Sequence, residues 1–177
     1  MLLFKKTMRL LTYAVFQLFL FASNVSAEAK SWSESYVEAG ELVKKHDLSS
    51  AAFAYYRAQL ASSWARELRP SAFVGNGNDP GTFRSAMNQV LGESINPWTF
   101  EDPKKRLLPI LDKLEQEVEA IHTSQELSNS IYSGIMESGQ REEEAKYPYA
   151  FPIEERLAKF KAFAAKWIAQ GRAAAGR

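Results

Sequence analysis

Beyond residue 30 the chain repeats one pattern, apolar residues three and four apart, punctuated by capping residues, glycines and prolines. In residues 34–46, ESYVEAGELVKKH, the side chains Tyr36, Ala39, Leu42 and Val43 fall on one helical face. Lys44 and Lys45 follow near its end, where positive charge suits the helix dipole. Asp47 to Ser50 break the chain and restart it with capping residues, and the next helix is predicted over roughly 50–68. Ala51, Phe53, Ala54, Tyr55, Ala58, Leu60 and Ala61 make that helix apolar nearly all the way round, which marks it as central and packed on several sides. Arg57, Gln59 and Arg66 leave it a narrow polar strip, and the pattern gives Arg57 and Gln59 no reason to be there.

Pro70 ends this helix, and GNGNDPG (75–81) reads as a loop of turn formers. Asp79 as N-cap and Pro80 at the first helical position open a third helix. Phe83, Met87, Val90 and Leu91 line its face, and Gly92 is expected to stop it. A second start of the same kind stands at Glu101-Asp102-Pro103. From there Leu107, Ile110, Leu111, Leu114, Val118 and Ile121 form a long stripe, with a kink or short first turn expected at Pro109. Periodicity weakens over 124–137, and 139–152 reads as a long irregular loop. Ile153, Leu157, Phe160, Ala164, Trp167 and Ile168 then keep helical spacing towards the end. Sustained alternation with β-branched residues is missing throughout. The expected fold is all-α, a single-domain bundle of about five to six helices.

The first thirty residues read differently. Lys5, Lys6 and Arg9 precede an uncharged apolar run of 13 residues, Leu10 to Ala22, and Val25-Ser26-Ala27 supplies small residues for cleavage. That order is the layout of a secretory signal peptide, here residues 1–27, leaving a domain of residues 28–177. The run falls short of the about 18–20 residues that span a bilayer, so no stable membrane insertion is expected after cleavage. Removing residues 1–27 takes three basic and no acidic residues, leaving 19 basic against 21 acidic, a net charge of −2. A balanced, slightly acidic domain is not the footprint of a nucleic-acid binder. The absence of cysteine suits a soluble periplasmic protein of a Gram-negative bacterium, the expected location.

Two features carry a resemblance. Ala39, Ala51, Tyr55 and Ala58 resemble the small-and-aromatic spacing of a tetratricopeptide or Sel1-type hairpin, although only one such unit is visible. More broadly, Asp47-Leu48 before AAFAYYRAQL, Asp79-Pro80 leading to Phe83 and Asn88, then Gly92, Ile95-Asn96-Pro97-Trp98 and Asp102 resemble an uncharacterised family of small exported bacterial proteins. The likeness covers about residues 36–121, and some members of such groups resemble immunity proteins encoded beside toxins. It supplies no catalytic residues.

Candidate chemistry is sparse. His46 and His122 have no second histidine or cysteine at metal-ligand spacing, and no Gly-x-Ser-x-Gly elbow accompanies the serines. GNGNDPG is neither a dinucleotide fingerprint nor a complete calcium loop. Glu115, Glu117 and Glu119 alternate and so spread around their helix. Catalytic, metal and cofactor sites are therefore not expected, and the chain reads as no enzyme. Two places fit a protein partner. The acidic run Glu142, Glu143 and Glu144 is flanked by Tyr147 and Tyr149, and aromatics in loops are typical interface anchors. Lys104, Lys105 and Arg106 oppose the dipole of the helix they open, a local conflict consistent with a contact surface. Trp98 and Phe100 are expected to plug the end of the bundle. The expected function is protein binding in the periplasm, as an immunity protein occluding a toxin. The alternative is an envelope adaptor that holds peptides or proteins in its hairpin groove.

Overall fold

The computed structural model describes residues 31–73, 80–134 and 149–176. Helix α1, Trp32–Lys44, opens with a reciprocal cap in which the Ser31 hydroxyl accepts from the Glu34 amide and the Glu34 carboxylate accepts from the Ser31 amide. The turn to α2, Leu48–Leu68, passes through His46, and the Asp47 carboxylate caps α2 by accepting from the Ser50 amide. That bond holds the Asp47 carboxyl below its usual range. A short 3-10 turn, Pro70–Phe73, follows. Then come α3 (Pro80–Glu101), α4 (Pro103–Glu119), a five-residue α5 (Ser124–Ser128), a second 3-10 turn (Ile131–Ser133) and α6 (Ile153–Ala175). The described residues are all helix and connection, and they share one core.

Helix α2 is the centre, as its pattern requires. Ala51, Ala52, Ala54, Tyr55, Tyr56, Ala58, Leu60, Ala61, Trp64, Ala65 and Leu68 are buried around its circumference. Alanines let neighbouring helices approach, and the rings fill the spaces between them. Tyr36 of α1 meets Tyr55 edge to face, and Phe83 of α3 closes on Tyr36 and Trp32. Trp64 packs against Phe160 and Phe163 of α6. The stripe Leu107, Ile110, Leu111, Leu114, Val118 and Ile121 is buried in full. Along α2, α1 and α3 run antiparallel, with Ser62 facing Tyr36, Gln59 facing Asn88 and Ser63 facing Arg84. Helix α4 runs parallel to it, with Phe53 beside Lys113 and Arg57 beside Glu117.

Four local expectations change. Helix α3 does not stop at Gly92 but continues to Glu101, through Pro97. Gly92 serves packing instead, because a Cβ there would stand 3.0 Å from Asn96 Nδ2 and 3.1 Å from the Tyr55 hydroxyl. Helix α4 runs unbroken through Pro109, whose ring lies on the exposed side, so no separate first turn forms there. Phe53 is only half-buried, with the Lys113 ammonium 3.9 Å from its ring centre. Phe100 does not plug the bundle end: it is 48% exposed, while Trp98 beside it packs against the core.

Candidate functional site

The corner between α3 and α4 gathers the unusual surface chemistry. Asp102 caps α4 by accepting from the Lys105 amide, and Pro103 takes the first helical position, so Lys104, Lys105 and Arg106 form the first turn. The dipole conflict is answered locally. Lys105 Nζ lies 3.1 Å from Asp102, whose carboxyl is held below its usual range chiefly by that lysine. Arg106 folds back over α3: it donates to the Trp98 carbonyl at 2.7 Å, pairs with Glu101, and lays its guanidinium 4.8 Å from the Trp98 ring centre. The carbonyl it caps would otherwise be an orphan of the α3 C-terminus. Lys104 is exposed and makes no ion pair among the described residues. Beside this stack the Phe100 ring stands open to solvent.

Of the second expected contact only Tyr149 is described. Glu142, Glu143, Glu144 and Tyr147 lie outside the described residues. Tyr149 is described and half-buried, its ring between the guanidiniums of Arg69 and Arg156, 3.8 and 3.6 Å from the centroid. The next two residues tie the chain down: the Ala150 amide donates to the Leu68 carbonyl at 2.7 Å, and Phe151 stacks on Trp64 at an interplanar angle of 5°. Tyr149 is thus engaged within the molecule at the C-terminal end of α2, whereas Lys104 to Arg106 stand beyond its N-terminal end. A 21-residue helix separates them, about 30 Å at 1.5 Å per residue. The structure does not bring Tyr149 and Lys104 to Arg106 together.

Two polar constellations escaped the sequence reading. Arg57 pairs with Glu117 of α4, and the buried Tyr132 hydroxyl donates to the second carboxylate oxygen at 3.3 Å. Burial works against the Arg57 charge, but Glu117 and Tyr132 outweigh it and its pKa is raised. Burial pushes the Tyr132 hydroxyl up as well. The second constellation is a seam between α2 and α3. Asn88 Oδ1 accepts from the Tyr36 hydroxyl at 2.8 Å and from Gln59 Nε2 at 3.3 Å, and Arg84 Nη2 donates to the Ser63 hydroxyl at 2.8 Å. Burial pushes Tyr36 up to about 12. The signal in the sequence is faint: Gln59 and Ser63, like Arg84 and Asn88, are four apart and so share a helical face.

His46 and His122 are both exposed, and the His122 amide is taken by Glu126. Among the described residues no three His, Asp or Glu side chains converge as a metal site, and no helix is long and apolar enough to cross a membrane. Comparison with protein-family models, with curated proteins and with solved structures finds no match to this chain.

Proposed function

We propose that the chain is a non-enzymatic protein-binding module of the bacterial periplasm, an immunity protein that neutralises a secreted antibacterial toxin by occluding it. The observation that carries this reading is the α3–α4 corner, where the 48% exposed Phe100 stands beside the Arg106-on-Trp98 stack, with Lys104 and Lys105 at its edge. Tryptophan and arginine dominate interface hot spots. The lysines would steer an acidic partner surface into register. A contact of this kind needs no catalytic group on this chain. The signal-peptide layout of residues 1–27, and the resemblance to small exported bacterial proteins, support export to the compartment where secreted toxins arrive. The acidic run Glu142 to Glu144 with Tyr147 is a second candidate contact. The groove reading is weaker, because one face of the α1–α2 hairpin is covered by α3 through Phe83 and Asn88.

The test is genetic. A strain lacking this gene is exposed to the secreted toxins encoded in its genomic neighbourhood. Survival should fall, and should return with the wild-type chain. It should not return with a Phe100→Ala, Lys104→Glu, Lys105→Glu variant whose circular dichroism and melting match wild type. Unchanged survival of the deletion strain would overturn the immunity reading.

A further inference from the structure

We propose that Arg84 anchors a binding site for a small oxyanion, a carboxylate or phosphate group, in the seam between α2 and α3. The other half-buried arginines that the structure describes are each answered from within the chain. Arg57 meets Glu117, Arg106 meets Glu101 and Trp98, and Arg172 meets Asp112 and Glu115. Arg156 lies on Tyr149 and donates to the Phe151 carbonyl. Arg84 differs. It is half-buried, and among the described residues no carboxylate lies within ion-pair distance of it; its Nε, like those of Arg57 and Arg69, is buried without a hydrogen-bond partner. Its guanidinium donates to the neutral Ser63 hydroxyl and otherwise meets the neutral Tyr36 hydroxyl, so no countercharge answers it. A cation partly withdrawn from water with no countercharge favours an anion beside it.

Its neighbours are suited to hold one. Ser63 accepts from Arg84, which leaves the hydroxyl proton to donate. Asn88 lies one turn further along the same face of α3. Two bonds, from Tyr36 and Gln59, fix its amide orientation through Oδ1, and Nδ2 takes no partner among the described residues. Gln59, Ser63, Arg84 and Asn88 are all partly open to solvent, so the seam is reachable. Arg66, one turn beyond Ser63 on α2, is exposed and adds positive charge. A guanidinium with hydroxyl and amide donors matches both a carboxylate and a phosphate. Sixteen residues of helix separate Arg84 from Phe100, about 24 Å, so this site is independent of the proposed partner surface.

The experiment follows the Arg84 Nε–H resonance in nitrogen–proton correlation spectra during titration with succinate and, separately, inorganic phosphate, with chloride as control at matched ionic strength. A saturable shift with either supports the site, and the arm that responds identifies the group. Arg84→Gln should weaken the response of neighbouring amides by about ten-fold or more, the loss of a charge-assisted contact. Ser63→Asp guards against a variant that merely fails to fold. It places the missing countercharge beside Arg84, and should raise the melting temperature in anion-free buffer while abolishing the titration. No saturable shift with either anion at millimolar concentration, or a Ser63→Asp chain that titrates like wild type, overturns the proposal.

Discussion

His46 turns the chain from α1 into α2 at φ 61°, a conformation that L-residues other than asparagine and aspartate adopt at a steric penalty of about 1–2 kcal/mol. Glycine removes that penalty but adds entropy to the unfolded chain. His46→Gly should therefore raise stability by up to about 1 kcal/mol, read as a higher urea midpoint at unchanged m-value, and a lower midpoint would show that the imidazole contributes. Gly92→Ala should act the other way. The helix gains about 1 kcal/mol of intrinsic propensity, yet the new methyl meets the Tyr55 hydroxyl and the Asn96 amide at hydrogen-bonding distances. A net loss of about 1–2 kcal/mol is expected, with the Tyr55 bond to the Asn88 carbonyl disturbed. Arg57→Ala leaves the Glu117 carboxylate with only the Tyr132 hydroxyl to answer it and should cost about 1–3 kcal/mol. At this scale the sequence marks anomalies without resolving them. Arg57 and Gln59 stand out because the pattern around them is apolar, but their partners, Glu117 and Asn88, lie 60 and 29 positions away. Nothing in a local period points across that distance.

Among the elements, α2 shows why most of the fold was legible and its details were not. All-round apolarity over 51–61 can be satisfied only by neighbours on several sides, and α1, α3, α4 and α6 are those neighbours. The starts of α2 and α4 were equally plain, since Asp47 caps the one, and Asp102 and Pro103 open the other through side-chain chemistry that lies in the adjacent residues. The end of α3 was not. Gly92 carries a stop signal that tertiary contact overrides, because Tyr55 occupies the space a side chain would need. The tyrosines of this layer also set a limit on alkaline stability. Tyr36 and Tyr56 are each pushed up to about 12 by burial. The folded state then holds protons that the unfolded state has already released above pH about 10. Their contribution is fully present below that pH and declines as pH rises towards 12. Absorbance at 295 nm should show a lagging ionisation phase that coincides with loss of ellipticity. Two tyrosines titrating at their ordinary pH with helix intact would contradict their burial.

Across the whole molecule, the fold class followed from pattern, whereas the arrangement of surface groups did not. The sequence places a basic cluster and an acidic aromatic loop in one chain, and only the path of α2 shows that Lys104 to Arg106 and Tyr149 belong to opposite ends. Periodicity says which residues turn inward, not which exposed residues share a face. The placement of Tyr149 between two arginines also makes it a fastener for α6. Tyr149→Ala should lower stability by about 1–2 kcal/mol through the lost cation–π contacts and leave the α3–α4 corner unchanged. A thermal melt combined with the survival assay separates the two effects: reduced melting with full protection is the expected pair.

Leu68 has a further consequence for engineering. Gly134, at φ 74°, packs so closely on its side chain that an added Cβ would stand 2.5 Å from Leu68 Cδ1, and the Ala150 amide bonds to its carbonyl. The described residues that flank 135–148 therefore meet at the same residue, already side by side. Closure entropy changes only slowly with loop length, so a short glycine-serine bridge in place of 135–148, keeping Tyr149, should leave the closure cost nearly unchanged. Such a pruned variant would keep the described helices and remove Glu142 to Glu144 with Tyr147. It would also reveal whether that acidic run or the α3–α4 corner carries the protective activity.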